Sequence, residues 1–163
     1  MNKAYLSLGS NRGDRTANLE KAIKLLSEWV GDIIRISSQF ETPPWKMTDA
    51  TNFMNQVLLL ETKKDAEELI DIIIQIELIM GRVRSAKGYE PRTIDIDILF
   101  FNEQIINNNR LTIPHPLIQE RRFVLEPLNE IAPEFIHPLF KKTSRQLLLE
   151  CEDKSTIRKS VSK

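Results

Sequence analysis

The sequence predicts an α+β domain in which helices pack on an antiparallel sheet. Two observations predict this class: four segments have the composition of strands, two of them with alternating side chains, and two further segments carry apolar residues at helical spacing. The length of 163 residues suits one domain, which we expect to span residues 1–163. Within it, residues 142–163 are expected to form a peripheral C-terminal tail.

The first 31 residues predict one strand and one helix. The strand covers residues 3–8, where every second side chain is apolar, and a turn is predicted over residues 9–14. The helix that follows stops at Gly31. Its apolar stripe consists of Leu19, Ala22, Ile23, Leu26 and Val30.

Two more strands and a second helix follow. A strand is predicted over residues 33–41, two prolines place a loop over residues 42–52, and the third strand covers residues 53–62. Asp65 and Glu68 form a capping box that opens the second helix. Its apolar stripe, which precedes a glycine, consists of Leu69, Ile72, Ile73, Ile76 and Met80.

The fourth strand lies within residues 91–101, a segment rich in β-branched and aromatic residues. Because the segment is apolar on both faces towards its end, we expect a central strand. One face is predicted to carry Ile94, Ile96, Ile98 and Phe100. The opposite face is predicted to carry Thr93, Asp95, Asp97, Leu99 and Phe101.

This order of strands and helices is that of the ferredoxin-like, or split βαβ, arrangement. We therefore predict a ferredoxin-like βαββαβ antiparallel sheet with both helices on one face. A C-terminal hairpin over residues 104–113 follows, and then a helix over residues 117–130 that Pro127 bends or ends. A short helix is predicted over residues 143–150, and a frayed end from Lys154.

Charge and composition argue against several kinds of partner. Lysine plus arginine and aspartate plus glutamate each number 23, so the net charge is zero, which opposes nonspecific nucleic-acid binding. The sequence shows no apolar run of membrane length and no signal peptide. The single cysteine, Cys151, excludes an internal disulfide and indicates a reducing compartment. We expect a cytoplasmic monomer that binds neither nucleic acid nor membranes.

Asp95 and Asp97 are the most informative residues of the fourth strand. They share a face, with Cα atoms about 6.6 Å apart at a rise of about 3.3 Å per residue. Either they belong to a solvated face, or they neutralise a cation. Buried like charges need a cation, either a nearby arginine or a divalent metal, and carboxylate oxygens are the ligands of hard metals. We favour the metal.

Cationic side chains are concentrated on both sides of this strand. They are Arg82, Arg84, Lys87 and Arg92 before it and His115 and Arg121 after it. Arginine binds phosphate oxygens through its planar guanidinium, so this set beside two carboxylates suits a polyphosphate with a divalent metal. A solvated loop stays an alternative for the arginines, as do a structural role for His115 and a solvated position for Glu77.

A different group of residues offers flat apolar surfaces and one amide. It consists of Thr42, Pro43, Pro44, Trp45, Phe53, Asn55 and Phe123. Aromatic faces can enclose a flat heterocycle, and an asparagine can recognise its donor and acceptor edge. The alternative is that the aromatic residues belong to the core.

Five motifs, in this order, resemble the 6-hydroxymethyl-7,8-dihydropterin pyrophosphokinase family of folate biosynthesis. They are Gly9-Ser10-Asn11, Thr42-Pro43-Pro44, Gly81-Arg82-Val83-Arg84, Pro91-Arg92-Thr93-Ile94-Asp95-Ile96-Asp97 and Pro114-His115-Pro116. The Pro-Arg-x-x-Asp-x-Asp pattern is the most specific part. The resemblance extends to about Pro138.

The resemblance implies a kinase that transfers the β,γ-diphosphoryl group of ATP to the hydroxymethyl group of the dihydropterin and releases AMP. It implies two Mg²⁺ ions on Asp95 and Asp97, and Arg82 and Arg92 on the triphosphate as catalytic residues. On the ATP side it implies Glu77, Arg84, Ile98, Arg110, Leu111, Thr112, His115 and Arg121. On the pterin side it implies Thr42, Pro43, Pro44, Trp45, Phe53, Asn55, Asp95 and Phe123.

The mechanism that we expect is in-line attack of the pterin hydroxyl on the β-phosphorus. The sequence names no general base: metal coordination can lower the pKa of the hydroxyl, and Asp97 can accept its proton. The alternative function is a noncatalytic ferredoxin-like module that binds RNA or a regulatory metabolite. Zero net charge and two acids on the corresponding strand oppose that alternative.

Overall fold

The structure is a computed structural model that describes residues 1–43, 52–81 and 93–160. Its strands are β1 (Asn2–Ser10), β2 (Gly31–Ile36), β3 (Phe40–Thr42), β4 (Phe53–Thr62), β5 (Asp95–Phe101), β6 (Ile106–Asn107), β7 (Thr112–Ile113) and β8 (Arg158–Lys159). The main sheet has the order β5-β1-β4-β3-β8, and β2 also pairs with β4. All these pairings are antiparallel, which confirms the predicted α+β class with an antiparallel sheet.

One face of the sheet is covered by the two predicted helices, α1 (Arg15–Trp29) and α2 (Ala66–Ile79). The side chain of Asp14 caps α1, and the predicted capping box of Asp65 and Glu68 opens α2. Between helices and sheet lies the first core, which includes Ala4, Leu6, Leu8, Leu19, Leu26, Met54, Leu58, Leu60, Leu69, Ile73 and Ile76. The alternation predicted along β1 is therefore confirmed.

The opposite face is covered by α3 (Arg122–Ile131) and α4 (Ser144–Glu150). They enclose a second core that includes Val57, Leu59, Leu99, Phe100, Ile118, Val124, Leu125, Leu128, Leu147 and Cys151. The segment expected to be a peripheral tail, residues 142–163, joins this core through α4 and joins the sheet through β8. The frayed end expected from Lys154 is therefore wrong for the two residues of β8.

Strand β1 is longer than predicted. Gly9 and Ser10, which the sequence pattern assigns to a turn, pair with Asn55 and Met54 of β4. The turn is confined to the residues after Ser10, which is fully buried. Gly9 therefore lies inside the sheet rather than at its margin.

The strand predicted over residues 33–41 is divided into β2 and β3. At the break, the hydroxyl of Ser37 accepts a hydrogen bond from the backbone N–H of Val57 at 2.9 Å. The side chain of Gln56 donates to the Ser37 carbonyl at 2.7 Å. Side-chain hydrogen bonds thus replace part of the regular ladder, which the apolar pattern alone does not reveal.

Strand β5 contains a bulge. The step from Tyr5 to Leu6 on β1 is matched by two steps on β5, so Leu99 has no direct partner on β1. The extra residue shifts the alternation: Phe101 lies in the first core, whereas Phe100 lies in the second. The predicted faces of Phe100 and Phe101 are therefore wrong.

The prediction that β5 is a central strand is also wrong. Within the described residues β5 ends the sheet order, with β1 as its strand partner. Its two faces are nevertheless both covered, one by the first core and one by the second. Burial on both faces gives an edge strand the apolar pattern of a central one.

The C-terminal elements follow the prediction with one change. Strands β6 and β7 form the expected hairpin. In the helix predicted over residues 117–130, residues 118–120 form a 3-10 turn and Arg121 is extended, so α3 begins later and continues past Pro127. The predicted short helix is α4, capped by Thr143. No helix in the described part of the chain is long and apolar enough to cross a membrane.

Candidate active site

Two rows of side chains cross the sheet on the face that carries the second core. In the first row, Asp95 of β5 lies opposite Gly9 of β1, and Gly9 lies opposite Asn55 of β4. In the next row, Asp97 lies opposite Ser7. Directly opposed residues present their side chains on the same face, and neighbouring strands are about 4.8 Å apart. The Cα atoms of Asp95 and Asn55 are therefore about 10 Å apart, and the only residue between them in the row is Gly9.

Asp97 faces two side chains from the C-terminal part of the chain. Its Oδ2 atom is 4.0 Å from Nε2 of His115 and 4.0 Å from Nη1 of Arg121. Both distances exceed hydrogen-bonding range, so neither of these two approaches is a direct hydrogen bond. The Asp97 side chain is 36% exposed, whereas those of His115 and Arg121 are 19% and 13% exposed. The predicted acids and two predicted cationic residues are thus brought together.

The bulge in β5 helps to hold His115. The carbonyl of Leu99 accepts a hydrogen bond from the backbone N–H of His115 at 3.0 Å. Nδ1 of the His115 ring accepts another from the backbone N–H of Leu117 at 3.1 Å. Because Nδ1 acts as an acceptor, the proton of the neutral ring is on Nε2, the atom that faces Asp97.

The pKa of His115 is lowered from its ordinary value of 6.5 to about 4. Burial is the largest cause, the positive charge of Arg121 is the second, and the negative charge of Asp95 acts in the opposite direction. His115 is therefore neutral at pH 7, and its approach to Asp97 is not an ion pair there. Its Nε2–H is a hydrogen-bond donor directed into the site.

Glu77 lies on α2, beside the outer edge of β5. The residue is 5% exposed, and its Oε2 atom accepts a hydrogen bond from the backbone N–H of Ile96 at 3.0 Å. The carboxylate thus satisfies a backbone donor that no further strand reaches in the described part of the chain. The solvated alternative for Glu77 is therefore wrong.

The predicted adenine residues lie near this same edge. The N–H of Ile96 points outward, so the N–H and C=O of Ile98, two residues on, point outward as well. The side chains of Ile98 and Leu111 belong to the first core, and Thr112 is exposed. The structure therefore places these residues on the Glu77 side of β5.

Arg110 is held by α2. Its guanidinium pairs with Glu67 at 3.0 Å and also with Asp71. Its side chain is about half exposed. Unlike His115 and Arg121, this predicted nucleotide residue is therefore seen in contact with structural acids.

The predicted heterocycle side contains a buried asparagine. Asn55 is 4% exposed, and its Nδ2 donates a hydrogen bond to Oγ1 of Thr42 at 2.5 Å. A Cβ placed on Gly9 comes within 2.7 Å of Oδ1 of Asn55 and 3.4 Å of the Phe53 ring. Only glycine permits this close approach, so Gly9, Thr42, Phe53 and Asn55 form one packed group.

Phe123 connects this apolar side with the cationic side. It lies in the first turn of α3 and packs, half-buried, against the second core. The guanidinium carbon of Arg121 is 5.4 Å from the centroid of its ring, within the range of a cation–π contact. Because Arg121 also faces Asp97, Phe123 is near the acids.

Some predicted site residues lie outside the described residues, and their assignment stays a prediction. They are Pro44, Trp45, Arg82, Arg84, Lys87 and Arg92. Pro43 is described and is half-buried.

Two residues of the site floor, Gly9 and Ser7, are not among the predicted site residues. Ser7 is a buried polar residue between Asp97 and Val57. A glycine inside a strand pattern often marks a close approach, which is the signal that could have identified Gly9. The signal for Ser7 is a hydroxyl between two apolar residues, Leu6 and Leu8, in the middle of a strand.

The donor set of the site suits one class of metal. Within the described ranges, no group of three or more His, Cys, Asp or Glu side chains is close enough to hold a metal ion by itself. Asp95 and Asp97 therefore offer two carboxylates. This set fits Mg²⁺, which protein carboxylates bind together with water and substrate phosphates, better than it fits Zn²⁺ or Ca²⁺.

The family model of 7,8-dihydro-6-hydroxymethylpterin-pyrophosphokinase (HPPK) matches residues 5–133 of the chain. Two similar proteins are both described as 2-amino-4-hydroxy-6-hydroxymethyldihydropteridine pyrophosphokinase. The protein from Aquifex aeolicus is 39% identical over 146 residues, covering 90% of this chain and 90% of its own length. The protein from Bacillus subtilis is 40% identical over 134 residues, covering 82% of this chain and 80% of its own length.

Solved structures show the same fold. A triple mutant of Plasmodium falciparum HPPK-DHPS with STZ-DHP has a TM-score of 0.76 at 21% identity and covers 91% of this chain. HPPK-DHPS in complex with substrates has a TM-score of 0.75 at 19% identity and also covers 91%. This chain spans 43% and 45% of those two chains, less than half of their length.

Proposed function

The chain belongs to the 7,8-dihydro-6-hydroxymethylpterin-pyrophosphokinase family, and from this premise we propose which of its residues carry out the reaction. The reaction is the transfer of the diphosphate of ATP to the hydroxymethyl group of 6-hydroxymethyl-7,8-dihydropterin, with release of AMP, in folate biosynthesis. One observation carries the assignment: Asp95, Gly9 and Asn55 lie in one row across three strands, beside Asp97.

The pterin ring is proposed to lie over Gly9, where the sheet has no side chain. Asn55 has its amide nitrogen committed to Thr42, which leaves Oδ1 as an acceptor for the donors of the ring. The rings of Phe53 and Phe123 supply apolar faces for stacking. The same pocket is proposed to include Pro43, Pro44, Trp45 and Asp95.

Two Mg²⁺ ions are proposed to be held by Asp95 and Asp97. The support is the pair of neighbouring carboxylates on one face of β5, with Asp97 partly exposed. When bound, Mg²⁺ neutralises phosphate charge and lowers the pKa of a coordinated hydroxyl. The chain itself supplies the carboxylates, and the phosphates of ATP complete the ligand set.

His115 and Arg121 are proposed to bind phosphate oxygens. Both face Asp97 at 4.0 Å, and both are largely enclosed by protein. His115 donates through Nε2–H as a neutral group, whereas Arg121 adds a full positive charge. Arg82, Arg84 and Arg92 are proposed to act on the triphosphate from the segment before β5.

Adenine is proposed to bind along the outer edge of β5. The outward N–H and C=O of Ile98 present one donor and one acceptor, as a strand edge does. The backbone of Leu111 and Thr112 is proposed to form the facing wall of this adenine site, and Glu77 is proposed to close one end of it. The hydrogen bond between Glu77 and Ile96 supports this orientation of the edge.

In the proposed reaction, the pterin hydroxyl oxygen attacks the β-phosphorus in line. A P–O bond forms to this oxygen while the bond from the β-phosphorus to the oxygen that bridges it to the α-phosphorus breaks. The electron pair leaves with AMP, and the hydroxyl proton passes to the carboxylate of Asp97. His115 and the arginines stabilise the charge on the phosphate oxygens, which is the main catalytic contribution expected of a protein in phosphoryl transfer.

The finer architecture belongs to the same proposal. The order β5-β1-β4, with β2 and β3 on the far side of β4, supports a ferredoxin-like arrangement. Zero net charge supports the absence of nucleic-acid partners, and the free thiol of Cys151 supports a reducing, cytoplasmic compartment. That the chain is a single-domain monomer without membrane partners stays a prediction. The noncatalytic RNA-binding alternative is not favoured, because β5 carries Asp95 and Asp97 where such a sheet carries aromatic residues.

The decisive experiment measures AMP production by the purified protein. AMP is expected only when ATP, Mg²⁺ and the hydroxymethyl dihydropterin are all present. AMP production without the pterin, or none with all three present, contradicts the assignment.

The variant Asp97→Asn tests the carboxylate site. It is expected to lower kcat by about a hundredfold or more, while the pterin still binds in the presence of a nonhydrolysable ATP analogue. Asp32→Asn is the matched control, because Asp32 is exposed on β2. Wild-type turnover of the Asp97 variant removes the metal role from this residue.

A further inference from the structure

One side chain organises the turn between β6 and β7. Oδ1 of Asn108 accepts hydrogen bonds from the backbone N–H groups of Arg110, at 2.9 Å, and Leu111, at 3.0 Å. The backbone N–H of Asn108 in turn donates to the Leu111 carbonyl at 3.0 Å. These bonds fix the conformation that the chain must adopt to enter β7.

The same side chain fastens the turn to α2. Nδ2 of Asn108 donates a hydrogen bond to Oε1 of Glu67 at 3.2 Å. The other carboxylate oxygen of Glu67 accepts from the guanidinium of Arg110 at 3.0 Å, and Arg110 also contacts Asp71. Glu67 and Asp71 are four residues apart and therefore share one face of the helix.

The fastened hairpin carries residues of the nucleotide half of the site. Leu111 and Ile113 belong to the first core. His115 follows two residues after β7, and its backbone is tied to Leu99. A displacement of the hairpin therefore moves the proposed adenine wall at Leu111 and strains the segment that presents His115 to Asp97.

We propose that Asn108 is a positioning residue for ATP binding: it shapes the β6–β7 turn and clamps it to α2 through Glu67. The inference rests on the proposed function, since it concerns the nucleotide half of that site. It also assigns Arg110 to the clamp rather than to the nucleotide. The two carboxylates on α2 already offset the charge of the Arg110 guanidinium.

Asn108→Asp separates the two tasks of the side chain. The aspartate keeps an acceptor for the two backbone N–H groups, but it turns a carboxylate towards Glu67 where the amide donated. The clamp is then opened by like-charge repulsion while the turn is retained. Adding Glu67→Gln restores a donor opposite the new acceptor, so the double variant reverses the direction of the hydrogen bond.

The kinetic measurement compares KM for ATP with KM for the pterin. Asn108→Asp is expected to raise KM for ATP about fivefold, the double variant to restore it, and KM for the pterin to stay within about twofold. Asn109→Asp is the matched control, because Asn109 is exposed and takes no part in these hydrogen bonds. A thermal melt of each variant shows that it is folded.

A second readout does not depend on activity. Amide hydrogen exchange of Leu111 is expected to accelerate in Asn108→Ala, which removes its acceptor, and to stay slow in Asn109→Ala. An unchanged KM for ATP in folded Asn108→Asp, an equal rise in both KM values, or no rescue by Glu67→Gln overturns the inference. If the wild type forms no AMP, the proposed function fails, while exchange at Leu111 still decides whether Asn108 holds the β6–β7 turn.

Discussion

Protonation of His115 is expected to destabilise the fold in mild acid. The pKa of this buried histidine is lowered to about 4 by burial and by Arg121, against the smaller opposing influence of Asp95. In the unfolded chain the same ring has its ordinary pKa of 6.5. As pH falls below 6.5, the unfolded state therefore binds a proton that the folded state does not bind until about pH 4.

The sign and the size of the effect follow from this difference. The contribution of His115 to stability is complete above about pH 6.5 and is lost as pH falls towards 4. The gap between the two pKa values corresponds to about 3 kcal/mol in total, at about 1.4 kcal/mol per pH unit. Between pH 7 and pH 5, the free energy of unfolding is expected to fall by about 2 kcal/mol through this residue.

Urea unfolding of metal-free protein at pH 7 and pH 5 measures this loss. His115→Gln keeps a polar side chain but cannot titrate, so it is expected to lose about 2 kcal/mol less than wild type between the two conditions. His137, whose pKa is also lowered by burial, is present in both proteins and cancels in the comparison. An equal loss in both proteins, or an NMR titration of His115 near pH 6.5, refutes the reasoning.

Two further predictions concern the floor and the outer edge of the site. Gly9→Ala is expected to raise KM for the pterin about tenfold with less effect on KM for ATP, because its Cβ meets Oδ1 of Asn55 at 2.7 Å; an equal change in both constants argues against a local effect. Glu77→Leu is expected to lower the free energy of unfolding by about 2 kcal/mol, because it leaves the N–H of Ile96 without its acceptor. Glu77→Gln keeps an acceptor and is expected to lose less in the same urea titration, so equal losses contradict the role of the hydrogen bond.

Regular elements could be predicted from the sequence because their signals are local. Strand β4 begins and ends at the predicted residues, and the predicted capping box opens α2. The features that could not be predicted depend on a partner strand. The bulge at Leu99 and the interruption at Ser37 are visible only in the pairing with β1 and β4. A one-residue insertion leaves the sequence pattern almost unchanged but reverses the faces of the residues that follow.

The candidate site also contains some features that could be predicted from the sequence and others that could not. The shared face of Asp95 and Asp97 could be predicted because side chains alternate along a strand, while their role in metal binding stays a prediction. The apolar pattern alone did not reveal that β5 is an edge strand among the described residues, since both of its faces are covered by apolar cores. Arg110 shows a further limit, because its charge in the sequence does not tell whether a phosphate or the acids of α2 will accept its hydrogen bonds.

The bulge in β5 lies where the strand passes from the two acids to the apolar cores. Before it, alternation places Asp95 and Asp97 on the face with Gly9 and Ser7. At the bulge, the carbonyl of Leu99 accepts a hydrogen bond from the backbone N–H of His115. This bond holds His115 where its ring faces Asp97. A regular strand would have kept the predicted alternation, with Phe100 on the face of the first core. The irregularity that sequence reasoning missed therefore lies next to the residues that it identified, as is common for bulges beside active sites.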